Sequence, residues 1–207
     1  MPIERKLAAI MFTDIVGFTK IMREDESIGV SVLRNQESII IPLVEKHKGK
    51  IVKQTGDGYL VEFSSSVESV QCAMEMQNSI KDYNNEDNID FHIRIGIHLG
   101  DILVIGDDIV GDGVNIASRI EPMANPDGIC FTEAVYESVK SRLDISPQRI
   151  SEVDLKYNDD KYTIYKIPDE LGDKQSDDSI KEEYQIHIKE IIKYSMDKIE
   201  LMKSLIV

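Results

Sequence analysis

Hydrophobic and polar positions recur along this chain at two periods, one near two residues and one near 3.6, and they mark out its elements. Residues 6–12 form a nearly unbroken apolar run, which predicts a buried strand. Between residues 19 and 47, Ile28, Val32, Leu33, Ile40, Leu43 and Val44 return at helical spacing. Pro42 is expected to bend or break that helix, and Gly49 to stop it. Residues 51–54 and 59–63 flank a Gly-Asp-Gly turn and read as a β-hairpin. Val67, Val70, Ala73, Met74 and Ile80 mark a second amphipathic helix. After a polar loop at 84–88, Phe91, Ile93, Ile95 and Ile97 alternate on one face of a strand, which Gly100 is expected to turn into residues 102–105.

Residues 111–124 read as a loop entering a helix, closed by Pro126-Asp127-Gly128. A short strand follows at 129–131. Thr132 is placed to cap a helix running to about Val139, with Glu133 in its first turn. Residues 149–155 and 162–167 predict a closing pair of strands. The order β, α, β, β, α, β, followed by additions, predicts an α+β fold. Its core is a ferredoxin-like βαββαβ unit with additional C-terminal strands and helices, an antiparallel-type sheet covered by helices on one face. This domain is expected to fill residues 1–168. Residues 169–179 are polar and read as a linker. In 180–207, Ile188, Ile192, Ser195, Ile199, Met202 and Ile206 form a short heptad seam. A helix of that length is marginal alone, so it is expected to pack on its own domain or on a second copy.

Composition narrows the function. The chain has 207 residues and a formal net charge of −14, so nucleic-acid binding, which relies on neutralising phosphates, is not expected. A polyanionic small substrate remains compatible where metal ions and local Lys or Arg side chains reverse the field. The two cysteines, Cys72 and Cys130, sit in apolar surroundings and read as buried thiols, with neither disulfide nor zinc spacing. The first apolar run is too short to cross a membrane and lacks a cleavage pattern. A reduced, cytoplasmic protein without direct membrane insertion is expected.

Two carboxylates then stand out. Asp14 ends the run "AAIMFTDIVGF", and Asp57 tips the turn in "KIVKQTGDG". Asp and Gly dominate turns for local reasons. Two Asp residues at neighbouring strand ends also make a site for a hard cation held by one or two carboxylates and substrate phosphates. In "DDIVGDGVNIASR", Asn115 and Arg119 lie four apart and share a face if helical. An amide beside a guanidinium suits a reaction that builds charge on phosphate oxygens. Taken singly, either residue also fits an ordinary surface helix.

Together "FTDIVGFT", "KQTGDG", "HIRIGIHLGD" and "DIVGDGVNIASR" resemble, in order and spacing, the catalytic domain of class III nucleotidyl cyclases, over roughly residues 5–168. That family makes cyclic AMP or cyclic GMP from the triphosphate, releasing pyrophosphate, in dimers whose sites lie at the subunit interface. The resemblance implies two divalent ions, Mg²⁺ or Mn²⁺, with Asp14, Ile15 and Asp57 as the metal-binding positions. It makes Lys53 and Asp108 the purine-reading pair, and Asn115 and Arg119 the catalytic pair that stabilises the transition state. Gly17, Phe18 and Thr19, where the chain enters a helix after Asp14, are implied in phosphate binding together with Arg94 and Lys156. At Lys156 the chain departs from the pattern, because Tyr157 stands where the family more often has Gly. Lys only donates and ionised Asp only accepts, so Lys53 with Asp108 complements adenine and mismatches guanine. An adenylate cyclase is therefore expected, acting on ATP as a homodimer with two shared sites. The alternatives are a guanylate cyclase with atypical purine contacts and a silent nucleotide-binding or dimerisation module. The Gly-Gly-Asp-Glu-Phe signature of diguanylate cyclases is missing. His47, His92, His98 and His187 share no spacing that suggests a site, and read as structural or surface residues.

Overall fold

The apolar run near the N-terminus becomes β1 (Ile3–Ile15), and the rest of the sheet is built around it. The computed structural model describes the backbone of residues 3–86, 89–154 and 161–167. The chain divides into two units, Met1–Asp173 and Lys174–Val207, and every described residue belongs to the first. The expected linker, the heptad seam, His187 and Lys156 lie outside the described residues.

After β1 come α1 (Phe18–Glu24) and α2 (Glu26–Lys46), then the hairpin β2 (Lys50–Thr55) and β3 (Gly58–Phe63). α3 (Ser66–Asn84) leads to β4 (Ile93–Ile105) and the short β5 (Asp108–Val110). α4 (Asp112–Ile120) runs into a 3₁₀ turn, Glu121–Met123. β6 (Ile129–Thr132), α5 (Glu133–Val139), β7 (Gln148–Asp154) and β8 (Lys161–Ile167) complete the described chain. The strands lie in the order β2-β3-β1-β4-β6-β8-β7, with β5 paired to β4. β2, β3, β1 and β4 pair antiparallel in the order of a ferredoxin-like unit, as the sequence pattern predicts. β6 joins β4 in parallel.

The strand alternation divides the core. Ala9, Met11 and Ile15 of β1 face one side, with Ile93, Ile95 and Ile97 of β4. That layer is closed by Val32, Ile40 and Val44 of α2, by Val70, Ala73, Met76 and Ile80 of α3, and by Val135 and Val139 of α5. Ala8, Ile10 and Phe12 face the other side, against Ala117 and Val114 of α4. Helices therefore cover both faces, where the sequence pattern suggested one. The second layer is small, because α4 is short and carries only one apolar stripe.

Three local expectations are corrected. The helix expected over 19–47 is two helices. Asp25 separates them, its carboxylate accepting from the N–H groups of Ser27 (2.9 Å) and Ile28 (3.2 Å) as the cap of α2. Pro42 does not break α2, which continues to Lys46. β4 also runs straight through Gly100. A Cβ there would sit 2.6 Å from His98 Nε2 and 3.3 Å from Gly113 Cα, so this glycine serves close packing of α4 on the strand and makes no turn. Cys72 and Cys130 are buried free thiols, as expected. Among the described residues, no helix is long and apolar enough to cross a membrane.

Two buried polar groups give tests of this packing. Gln36 faces the core from α2, fully buried, with neither amide atom hydrogen-bonded. An unsatisfied buried amide costs about 1–3 kcal/mol. Gln36→Met is expected to raise the thermal midpoint by a few degrees; a fall would mean that the amide holds a buried water. His98 lies with Nδ1 3.0 Å from the Thr132 hydroxyl and its ring edge-on to Tyr162. Burial lowers its pKa from 6.5 to about 4. Between those values the unfolded chain binds a proton that the folded chain does not, so stability is full above 6.5 and is lost as pH falls toward 4. His98→Gln is expected to flatten that slope by roughly 2–3 kcal/mol between neutral pH and about pH 4.5. Urea titrations of both proteins read it directly, and parallel profiles would refute it.

Candidate active site

The register of β1 on β4 sets Asp14 directly across from Arg94. Cross-strand partners share a face, and here they share an ion pair, Arg94 Nη2 donating to Asp14 Oδ2 at 2.8 Å. Both residues are almost buried, at 9% exposure for Asp14 and 5% for Arg94. The β2–β3 hairpin brings the second carboxylate. Its loop is two residues, Gly56 and Asp57, closed by the Thr55–Gly58 pairing, and Gly56 takes φ +69°. Thr13 Oγ1 accepts the Tyr59 N–H at 3.0 Å and ties the hairpin to β1. Contact there is so close that a Cβ on Gly58 would fall 1.7 Å from the Thr13 carbonyl oxygen. Asp57 then reaches over the end of β1, where Oδ2 accepts the Ile15 N–H at 3.0 Å.

The result is a crowded acidic pocket. Burial, and then the neighbouring charge of Asp14, push the Asp57 carboxyl up to about 7. A third acid, Glu121, enters from the end of α4, at 3% exposure, with Oε1 3.4 Å from Arg94 Nε. Burial and the charge of Asp14 hold its carboxyl well above the usual range. It can lie this deep because β4 has Gly96 beneath it, where a Cβ would meet the Glu121 nitrogen at 2.2 Å.

A second constellation forms along the sheet. The β2–β3 pairing shifts register between Ile51 and Lys53, a bulge. Lys53 Nζ donates to both oxygens of Asp108, at 2.9 and 3.0 Å, and Asp108 Oδ1 also accepts its neighbour's N–H from Ile109 at 2.8 Å. On α4, Asn115 and Arg119 lie one turn apart and half-buried, while Ile116, Ala117 and Ile120 anchor the helix inward. Gly17, at φ +69°, precedes α1, whose first residues are Phe18 and Thr19. The structure thus brings Asp14, Asp57 and Arg94 together, and pairs Lys53 with Asp108.

Sequence reasoning assigned nothing to Glu121 or Thr13, and read Gly58 only as part of the hairpin turn. Glu121 left one signal: a charged residue set between Ile120 and Pro122-Met123-Ala124, in a stretch otherwise apolar. The donor set suits a hard divalent ion. Two carboxylates are near each other, and burial and mutual charge hold one at an elevated pKa, so a cation there would relieve the repulsion. Asp14 and Asp57 are the residues that could hold it. Among the described residues no set of three or more His, Cys, Asp or Glu side chains converges; an ion held by two carboxylates ordinarily completes its shell with backbone, water or substrate oxygens.

A family model of the adenylate and guanylate cyclase catalytic domain matches residues 4–168, and the chain belongs to that family. It is 40% identical over 146 residues to a Rhizobium meliloti protein named "Putative adenylate cyclase 3", covering 69% of this chain and 25% of that one. It is 31% identical over 155 residues to the human guanylate cyclase soluble subunit beta-2, covering 67% of this chain and 25% of that one. The chain therefore spans about a quarter of the length of these relatives. A solved adenylate/guanylate cyclase/hydrolase from Silicibacter pomeroyi shares its architecture, with a TM-score of 0.76 at 28% identity, over 81% of this chain and all of that one.

The hairpin contact can be tested without any assay of activity. Gly58→Ala is expected to cost about 3 kcal/mol, since backbone rather than a flexible side chain must move. Gly56→Ala meets open space and only the left-handed backbone penalty, about 1 kcal/mol. Equal losses in chemical denaturation would show that the hairpin does not bear on β1.

Proposed function

We propose that this chain is an adenylate cyclase domain, converting ATP to 3′,5′-cyclic AMP and pyrophosphate. The family makes it a cyclase domain. The observation that carries the choice of ATP is the two-pronged Lys53–Asp108 pair. A donor fixed beside an acceptor matches adenine, which accepts at N1 and donates from its amine. Guanine presents the reverse order and would leave both groups mismatched. Relatives of this chain carry both adenylate and guanylate cyclase names, so the base preference rests on these two side chains.

In this reading Asp14 and Asp57, with the Ile15 backbone carbonyl, hold two divalent ions, Mg²⁺ or Mn²⁺. When bound, those ions would acidify the ribose 3′-hydroxyl and neutralise the triphosphate. Gly17, Phe18 and Thr19 offer backbone N–H groups to the phosphates, and Arg94 and Lys156 supply positive charge. The 3′-hydroxyl gives its proton to solvent, its oxygen attacks the α-phosphorus in line, and the bond from that phosphorus to the bridging oxygen breaks, releasing pyrophosphate. Asn115 and Arg119 stabilise the charge that gathers on the α-phosphoryl oxygens. A two-fold homodimer would set Asp14 and Asp57 of one protomer against Lys53, Asp108, Asn115 and Arg119 of the other, giving two equivalent sites. ATP as substrate fits a cytoplasmic setting.

The test is cyclic nucleotide production by the purified chain from ATP and from GTP, in Mg²⁺ and in Mn²⁺. Cyclic AMP is expected, lost in Asp57→Ala and reduced at least about a hundredfold in Asn115→Ala. Asp14→Ala and Asn115→Ala proteins, each nearly inactive, are expected to regain activity when mixed. Preferential turnover of GTP would overturn the base assignment, and failure of folded, exchanging dimers to complement would refute the shared site.

A further inference from the structure

Arg94 lies between two carboxylates that have different obligations. Asp14 holds its Nη2 edge at 2.8 Å, and Glu121 faces its Nε at 3.4 Å. On the reading above, on which this inference rests, Asp14 must turn its carboxylate toward a metal ion. Arg94 then loses a partner at the moment when its charge is needed at the phosphates. Glu121 carries no competing obligation in that reading. It is 3% exposed, and its backbone is clamped: the nitrogen presses on Gly96, where no Cβ fits, and its carbonyl accepts the Ala124 N–H at 3.0 Å. Its side chain is therefore presented to the guanidinium from a fixed base.

We propose that Glu121 is a positioning residue for Arg94. It holds the Nε edge so that the guanidinium stays at the end of β4 and aims at phosphate when Asp14 binds metal. A side chain at 121 without a carboxyl would take from Arg94 the acid that faces its Nε and leave its contact with Asp14 in place. Arg94 would then compete with the cation for that carboxylate.

The test uses the full chain and Mn²⁺ with inorganic tripolyphosphate as the probe, its binding followed by calorimetry. In parallel, KM and kcat are measured separately for Mn²⁺-ATP. Glu121→Gln keeps the shape and replaces the carboxyl that faces Arg94 with an amide. It is expected to weaken tripolyphosphate binding about tenfold and to raise KM by a similar factor, with a smaller change in kcat. The double variant with Arg94→Gln is expected to bind no worse than Arg94→Gln alone, because Glu121 acts only through Arg94. Losses that add in the double variant would overturn the proposal, as would a folded Glu121→Gln protein that binds like the parent. Should Glu121→Gln fail to fold, the same cycle run with Glu121→Asp carries the test, and losses that add there overturn it equally. A parent chain that neither binds the probe nor makes a cyclic nucleotide removes the reading of the site and this inference with it. A parent that binds, with an unmoved variant, removes the inference alone.

Discussion

Three acids cannot be gathered at the edge of an apolar core without a counter-charge, and the β1–β4 register supplies it by setting Arg94 opposite Asp14. Desolvating a carboxylate costs several kcal/mol, and a guanidinium offsets this when the geometry is close. One guanidinium does not balance Asp14, Asp57 and Glu121. The elevated carboxyl groups of Asp57 and Glu121 record that shortfall. The fold thus holds a local deficit of positive charge, at a point where backbone contacts leave the acids no room to spread. Slipping β1 by one residue against β4 would exchange the two faces and put Asp14 among the isoleucines.

Much of this was legible in the sequence, and the reasons are specific. Strand alternation at Phe91, Ile93, Ile95 and Ile97 is a period-two signal that tertiary context rarely overrides, and all four side chains are buried. The βαββαβ order followed from such signals. Asp14 was visible because it ends an apolar run, and Asp57 because it tips a Gly-Asp-Gly turn between two strands. What could not be read was contact between distant segments. Gly100 looks like a turn in one dimension, and its reason lies in α4. Gly58 looks like hairpin chemistry, and its reason is the Thr13 carbonyl. The second helical layer was missed because α4 is short and the βαββαβ pattern accounts for only one face.

Glu121 belongs to the same class of blind spots. Its immediate neighbours in sequence are apolar, and its partner Arg94 lies on β4. Residues that touch substrate tend to sit in motifs, since chemistry fixes their spacing. A residue that supports another through space carries no such spacing, and becomes visible only when the strand that supports it is in place.

The bulge in β2 has an effect away from chemistry. Among the described residues β2 is the last strand on its side of the sheet, and an edge strand invites a foreign strand to add. Here the register shift at Ile51–Lys53 interrupts the regular ladder, and exposed Lys50 charges the start of the strand. The irregularity beside the Lys53–Asp108 ion pair also makes β2 a poorer template for a foreign strand than a flat, regular edge would be.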